Sequence, residues 1–208
     1  IIDTIENETQ RTVTIGKIYY NPLAGGVIIK NLTLFEYDAP FEKELLSAKQ
    51  ISFNPIIIPS FKKLTFVIPS INIKSASLNI LKDSEGKFNI LAPPLFKKPA
   101  LKNKNITAIV YKLKIDDGFI HIEDRLKGFK KDIVKFDGDL TLSLPDSFKV
   151  RAGFISNPQR NTKFTIWAKY NLKSSLLESK FKFLNLAIEE FKPYLAGLAF
   201  EINRSFLS

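Results

Sequence analysis

Apolar and polar residues alternate along most of this chain, which is typical of strands that bury one face. The alternation begins in RTVTIGKIYY (residues 11–20) and continues in VIIKNLTLFEYD (residues 27–38). Asn21-Pro22 and Gly25-Gly26 between them are turn signals. Further strand-like runs follow, mostly joined by short turns, and this favours antiparallel neighbours. The pattern therefore predicts a mainly β fold built on one long, twisted antiparallel sheet.

Two segments depart from strand periodicity and predict short helices. Residues Phe41 to Ser47 follow Pro40, which suits a first helical position, and their apolar residues have helical spacing. Residues Ala187 to Ala196 switch to helical spacing near the C-terminus. We expect both helices to cover ends of the sheet. Residues 92–105 are rich in Pro and Lys and predict a flexible surface loop.

A weak internal repeat appears when the sequence is shifted by 42 residues. Each copy is interpreted as a strand, a small residue at a turn, a second strand and a loop that contains Gly. Such repetition suggests a sheet that grows along one axis, with each unit covering part of its neighbour. The matched residues are Ile71, Ile73, Ala76, Leu78, Ile80 and Gly86 in the first copy and Leu113, Ile115, Gly118, Ile120, Ile122 and Gly128 in the second.

Length and composition set outer bounds on the fold. The 208 residues are 45% hydrophobic, enough for one sizeable β-rich domain over residues 1–208. No apolar run approaches the roughly 18 residues that a membrane-spanning helix needs. The first residues are Ile-Ile-Asp, so we expect the natural N-terminus to lie upstream. Lys and Arg outnumber Asp and Glu by 31 to 21, a net charge of +10 that allows attraction to anionic partners.

Residues with catalytic chemistry are few. His121 is the only histidine, and Glu123-Asp124 follow it closely. An acid–base pair or part of a metal site is one interpretation; a polar side chain on the outer face of a strand is the favoured one. Asp137 and Asp139 flank Gly138, as turn and bulge formers do. Phosphate-loop, nucleophile-elbow and zinc-protease motifs are absent. We therefore expect no enzyme activity, no metal and no cofactor.

We also do not expect nucleic acid as a partner. A stacking platform needs aromatic and basic side chains on one face of a sheet. In FKVRAGF and KFTIWAKY, however, the Phe and Tyr residues alternate strictly with the charged ones. Alternation puts them on opposite faces of a strand.

The alternation does predict one continuous apolar face in the second half of the chain. The rest of the fold could cover it, as in a sandwich, a barrel or a sheet overlaid by the two helices. Alternatively, the sheet could curl into a groove that receives a hydrophobic ligand. The candidate groove residues are Ile109, Tyr111, Leu113, Ile120, Ile122, Val134, Phe136, Leu140, Leu142, Phe148, Val150, Phe154, Phe164, Ile166 and Tyr170.

The order of segments from about Ile15 to Leu195 resembles the AsmA-like family of bacterial envelope proteins, including its TamB-type relatives. The N-terminal part of the family has a G…v.i.nl.l strand and a G..n hairpin, matched here by GGVIIKNLTL and GKFN. LKIDDGFIHIEDR is similar to the i..G.i.i.D hairpin, and SKFKFLNLAIEEFKPYL is similar to the strand and helix that end in pYl. The match lies in the order of these motifs, each of which is degenerate.

The resemblance implies a function and a location. Family members are periplasmic, β-rich and anchored to the inner membrane by an N-terminal helix, which this chain does not contain. The longer ones are similar to bridge-like lipid transfer proteins. The expected function is thus non-enzymatic binding of phospholipid acyl chains along an apolar groove, in lipid transport or envelope homeostasis. The alternative is a protein-interaction module, with envelope protein partners, in outer-membrane or envelope assembly.

Overall fold

The structure is a computed structural model in which strands dominate the described part. It describes residues 2, 6, 9–21, 25–36, 43–59, 64–90, 106–143, 147–157, 162–187, 192–195 and 206–207. The strands, in chain order, are β1 (Val13–Asn21), β2 (Gly26–Phe35), β3 (Glu44–Phe53), β4 (Ile56–Pro59), β5 (Leu64–Ile68), β6 (Ile71–Lys82), β7 (Ile106–Val110), β8 (Lys112–Asp124), β9 (Phe129–Ser143), β10 (Ser147–Asn157), β11 (Thr162–Asn171), β12 (Leu176–Leu184), β13 (Leu186–Ala187) and β14 (Phe206–Leu207).

Nine of these strands form one open sheet. Their order is β1-β2-β3-β6-β8-β9-β10-β11-β12, so β1 and β12 are its two edges. Consecutive strands from β8 to β12 pair antiparallel, which confirms the predicted meander. β6 and β8 pair in parallel, so the prediction of a purely antiparallel sheet is wrong and the large sheet is mixed. The mainly β fold class is confirmed.

A three-stranded sheet continues the centre of the large one. Its order is β4-β5-β7. β4 follows β3, β5 precedes β6 and β7 precedes β8, each across a short break, so the small sheet repeats the order β3-β6-β8. The breaks are Asn54-Pro55, Pro69-Ser70 and Tyr111. Pro lacks the N–H that a ladder needs, so it ends strand pairing. The backbone of Tyr111 links the two sheets, because its N–H donates to Ile68 O at 3.1 Å and its carbonyl accepts from Leu142 N at 2.7 Å.

The structure confirms that the two copies of the 42-residue repeat are equivalent. The turn predicted within each copy is wrong, because β6 and β8 each run as one strand through that position. The parallel ladder between β6 and β8 joins Ile71 to Leu113 and continues to Lys82 and Asp124, with every pair 42 residues apart. The parallel ladder between β5 and β7 has the same offset. The two copies therefore lie side by side in register. Parallel strands need a long connection, and here the connection contains the 92–105 segment, whose predicted flexibility lies outside the described residues.

A row of backbone kinks crosses the sheet. Asn31, Ser75, Asp117 and Lys135 have φ values of 52°, 48°, 55° and 50°, in the left-handed region. Ser75 and Asp117 are equivalent in the two repeats, and the ladder from Ile15 to Leu32 brings Asn31 opposite Gly16. At Asn31 and Ser75 the ladders keep their register through the kink, whereas the register shifts near Asp117 and Lys135. In each case the alternation of side chains shifts by one position. In β6 the shift puts Ile71 and Ile73 on the same face as Leu78 and Ile80.

The prediction of two helices is wrong. From Glu44 onward the first segment is β3, because its residues pair with β2 on one side and β6 on the other. Pairing with two neighbouring strands stabilises the extended conformation more than the helical spacing of a few apolar residues stabilises a helix. In the second segment the structure describes only Ala187, in β13, and one helical turn, α1 (Lys192–Leu195). Ile2, Glu6 and Thr9 are described as helical positions near the N-terminus.

The kink at Ser75 gives a prediction for stability. Ser75→Val should lower the free energy of unfolding by about 1–2 kcal/mol, because a β-branched residue is strained at a positive φ. Ser75→Gly should be neutral or stabilise slightly. Urea unfolding measures both effects. The control is Ser77→Val, on the same strand outside the left-handed region, where Val should be tolerated. Equal destabilisation by the two Val variants would contradict the prediction.

Candidate functional site

Cross-strand pairing brings the apolar residues of all nine strands to one side of the large sheet, here called the apolar face. Residues directly opposite in a ladder share a face, and the ladders link this set from β1 to β12. Its members include Val13, Ile15, Ile18, Ile29, Leu32, Leu34, Leu46, Ala48, Ile51, Ile73, Leu78, Ile80, Leu113, Ile115, Ile120, Ile122, Ile133, Phe136, Leu140, Leu142, Phe148, Val150, Phe154, Phe164, Ile166, Tyr170, Leu177, Phe181 and Phe183.

Three of the candidate groove residues lie elsewhere. Ile109 is in β7 of the small sheet, and Tyr111 lies at the break between the sheets with 48% of its surface exposed. Val134 pairs with Ile155 on the opposite side, because the kink at Lys135 shifts the alternation of β9. The other candidates all belong to the apolar face: Leu113, Ile120, Ile122, Phe136, Leu140, Leu142, Phe148, Val150, Phe154, Phe164, Ile166 and Tyr170.

Sequence reasoning missed the extent of this face. Residues of β1 to β6 alternate as clearly as those of β8 to β11, but each run changes phase at a kink. Leu177, Phe181 and Phe183 of β12 continue the face to the sheet edge. The signal for them was the alternation in LLESKFKFL, which has the same period as β11.

Aromatic rings form a ladder across the last four strands of the apolar face. The ring centroids of Phe136 and Phe154 are 6.2 Å apart, and those of Phe154 and Phe164 are 4.9 Å apart. Phe164 meets Phe183 edge to face at 5.1 Å. Each such pair contributes about 0.5–1.5 kcal/mol beyond the area it buries. The ladder therefore extends a hydrocarbon surface from β9 to the β12 edge.

A shallow depression lies in the middle of this surface. It is formed where β9 and β10 have small residues, Gly138 and Ala152, and has a volume of about 100 Å³. A Cβ on Gly138 would lie 3.2 Å from Cε1 of Phe136, so Gly at this position allows the Phe136 ring to lie close to the backbone. Leu113, Ile115, Phe136, Leu140 and Val150 are among the lining residues.

One end of the sheet is closed, and we call it the closed end. There β1, β3, β9 and β11 begin and β2, β6, β8, β10 and β12 end. A buried cluster of Val13, Leu34 and Leu45 packs there against partly buried neighbours that include Ile90. Arg11, only 2% exposed, donates from Nη2 to the carbonyl of Asn89 at 2.8 Å. Most of the buried side chains of the described residues lie at this end.

Asn89 ties the turn after β6 to the closed end. Its carboxamide nitrogen donates to Glu36 Oε1 at 2.8 Å and to the carbonyl of Asn79 at 3.0 Å. Its carboxamide oxygen accepts from the N–H of Leu81 at 2.9 Å. These bonds hold residues 83–90 back against β6, so that Ile90 reaches the buried cluster.

The C-terminal turn α1 closes the same end through Asp124. The Tyr194 hydroxyl donates to Asp124 Oδ2 at 2.8 Å, and the Lys127 N–H donates to Asp124 Oδ1 at 3.0 Å. Lys82 Nζ lies 3.4 Å from the same carboxylate. The Tyr194 ring meets Phe129 edge to face at 5.0 Å and has Lys127 Nζ 4.6 Å from its centroid. We call the hydroxyl–carboxylate contact the Asp124–Tyr194 latch.

The latch changes the titration of both partners. Burial raises the pKa of Asp124, but the hydrogen bonds from Tyr194 and Lys127 and the charge of Lys82 outweigh it, so the pKa lies below its ordinary value. Burial and the hydrogen bond to Asp124 raise the pKa of Tyr194 to about 12. The carboxylate is therefore ionised and the phenol protonated at neutral pH, and the hydrogen bond is charge-assisted.

In contrast to the closed end, the β12 edge is open. All nine positions of β12 are exposed. Leu177 has 61% of its surface exposed, Phe181 57% and Phe183 40%. Among the described residues, none pairs with the outer edge of β12. Contiguous exposed apolar side chains of this kind mark sites that bind another molecule. We call this part of the apolar face the open rim.

The opposite side of the sheet is polar and is called the polar face. His121 lies there, and its Nδ1 is 2.5 Å from Asp132 Oδ1 on the adjacent strand. Glu123 on the same face pairs with Lys130, whereas Asp124 turns to the closed end. Within the described ranges, no group of three or more His, Cys, Asp or Glu residues could hold a metal ion, and no helix is long and apolar enough to cross a membrane.

The latch gives the second prediction. Tyr194→Phe should lower the free energy of unfolding by about 1 kcal/mol near neutral pH, because it removes a hydrogen bond to an ionised group. The lowered Asp124 pKa means that its contribution is lost as pH falls below about 4, and the raised Tyr194 pKa means that its contribution is lost between about pH 10 and 12. Urea unfolding at several pH values measures the difference between wild type and variant.

Tyr111→Phe is the matched control, since no hydrogen bond of the Tyr111 hydroxyl is present among the described residues. It should have little effect at any pH. If the difference in free energy of unfolding between wild type and Tyr194→Phe stayed constant from pH 3 to neutrality, the carboxylate would not act through this hydrogen bond.

The apolar face, the open rim and the closed end are the features from which a function can be inferred. Neither the models of known protein families nor the curated proteins give a match to this chain.

Proposed function

We propose that this chain is a non-enzymatic lipid-binding domain that holds phospholipid acyl chains along its apolar face. The observation that supports this most directly is the continuity of the apolar face over nine strands up to an exposed rim. Such a face does not need a catalytic or ligand motif. Each methylene moved from water onto it contributes roughly 0.8 kcal/mol, so acyl chains can be held without polar contacts.

The dimensions of the face fit an acyl chain. Nine strands at about 4.8 Å spacing span roughly 38 Å from β1 to β12. The hydrocarbon core of a bilayer is about 30 Å thick, so each leaflet contributes about 15 Å of chain. An acyl chain is thus shorter than the face along the direction that crosses the strands. The open rim provides a point of entry, whereas the closed end is sealed by the latch and by the buried cluster.

The family resemblance supports the same proposal. Asp124 ends the segment that resembles i..G.i.i.D, which forms the single strand β8, and Tyr194 belongs to the segment that resembles pYl. These two residues, 70 positions apart in sequence, form the latch. In the proposed setting, the sheet curls around the bound chains as a groove, and the full-length protein is anchored in the bacterial inner membrane and acts in the periplasm in lipid transport or envelope homeostasis.

The open edge favours a second candidate function. β12 has a free hydrogen-bonding edge among the described residues, and an added strand from another protein could pair with it. In that case the domain is an interaction module for envelope assembly, and the open rim is covered by protein rather than by lipid.

The third prediction separates these two functions. Native mass spectrometry, with organic extraction of the purified protein, should detect phospholipid on the wild type after expression in a bacterial envelope. Ile166→Glu and Phe154→Glu should remove it, because each places a charge on the apolar face, where no partner would offset its desolvation. Thr165→Glu is the matched control: it adds the same charge one residue away, on the polar face, and should leave the lipid bound.

Circular dichroism must show that the variants are folded. A lipid-free wild type, with Ile166→Glu unfolded instead of empty, would mean that the apolar face is an ordinary core and would overturn the lipid-binding proposal. A lipid-free wild type that co-purifies with one protein, through contacts abolished by a Pro substitution at Ser179 in β12, would favour the interaction module.

A further inference from the structure

We propose that the polar face of β10, β11 and β12 docks on the surface of an anionic membrane. This surface, here called the basic patch, lies opposite the apolar face. The inference goes beyond acyl-chain binding by the apolar face, because its basic side chains lie on the other side of the sheet. Only the choice of a membrane as the anionic partner uses the open rim.

Charge is segregated strongly in these three strands. They contain six basic residues, and Glu178 is their only acidic one. All six lie on the polar face, because along each strand they alternate with residues of the apolar face. Within the described part of the chain, none of the six has a carboxylate in ion-pair distance. The basic residues are Lys149, Arg151, Lys163, Lys169, Lys180 and Lys182.

The neighbouring lysines of the polar face differ, because carboxylates neutralise them. Lys112 pairs with Asp139, Lys114 with Asp116 and Lys130 with Glu123. These pairs are in β8 and β9, where Asp and Glu residues share the face with Lys. Lys17, Lys30 and Lys74 of the polar face also have no carboxylate in ion-pair distance, but they are spread over β1, β2 and β6. Among the described residues, the unpaired cations are therefore densest on the β12 side of the sheet.

Trp167 lies at the centre of the basic patch. It is the only tryptophan in the chain, and its cross-strand neighbours are Arg151 on β10 and Lys180 on β12. Lys169 is two residues further along the same strand. Trp beside basic residues is the composition of membrane–water interfaces, where the ring sits at the headgroup level and the cations reach lipid phosphates.

The open rim favours a membrane over a nucleic acid as the anionic partner. Lys180 and Lys182 alternate with Phe181 and Phe183 along β12, so the basic patch and the exposed apolar side chains meet at one edge. A bilayer surface offers phosphates for the basic patch and acyl chains for the exposed apolar side chains. A nucleic acid would leave the apolar side chains unused, and one aromatic residue is a poor stacking platform.

Vesicle binding tests the proposal, with Trp167 as the only tryptophan signal. Phosphatidylglycerol vesicles should shift its emission to the blue, and brominated phosphatidylglycerol should quench it, whereas phosphatidylcholine vesicles should do neither. Salt at about 1 M, where the Debye length is about 3 Å, should release the protein. The triple variant Lys149→Gln, Lys169→Gln, Lys180→Gln should bind on the order of 100-fold more weakly, since each basic residue near the surface contributes about 1 kcal/mol.

The matched control is Lys112→Gln, Lys114→Gln, Lys130→Gln. It lowers the net charge of +10 by the same three units but removes only paired lysines, so its vesicle affinity should stay close to that of the wild type. Equal loss of affinity in both triple variants would show that net charge, not the basic patch, controls binding. Wild type that binds a DNA duplex but not phosphatidylglycerol vesicles would overturn the membrane assignment. Vesicle binding that survives in Ile166→Glu would show that docking and acyl-chain binding are separate.

Discussion

The structure depends on keeping one face of a nine-stranded sheet apolar while the strands bend. A strand has a side-chain period of two, so one inserted residue would turn every later apolar side chain to the wrong face. The kinks at Asn31, Ser75 and Asp117 occur at matching levels of the sheet, and each is accompanied by a one-residue shift of the apolar positions in sequence. The bend and the sequence pattern compensate each other, and the apolar face runs unbroken across the kinks.

The same constraint explains how much the sequence could predict. Strict alternation made the β class and the meander from β8 to β12 predictable, because pairing partners there are close in the chain. The parallel pairing of β6 with β8 was present in the sequence as the 42-residue repeat. The repeat alone could not predict this pairing, since similarity between two segments does not say whether they stack, pair or lie apart. The structure shows that they pair in parallel.

The errors have physical causes. Helical spacing in Phe41 to Ser47 is only local, and two neighbouring strands that both match its alternation decided its conformation. Val134 was placed by continuing a period of two through Lys135, whose positive φ breaks it. In KFTIWAKY the Phe and Tyr residues alternate with the cations, so they predict no aromatic ring on the basic side of the sheet. Trp167 itself has the parity of the cations and shares their face.

The contrast between the closed end and the β12 edge constrains what surrounds the protein in the cell. The closed end is secured by Arg11, Asn89 and the latch, whereas β12 leaves a long edge with exposed Phe and Leu side chains. Natural sheets protect such edges from pairing with other chains, often with Lys. Lys180 and Lys182 offer that protection on the polar face only. On the other face the exposed rings of Phe181 and Phe183 remain, and water is an unfavourable neighbour for them. In the proposed docking, a lipid phase would contact the cations and the rings of β12 together.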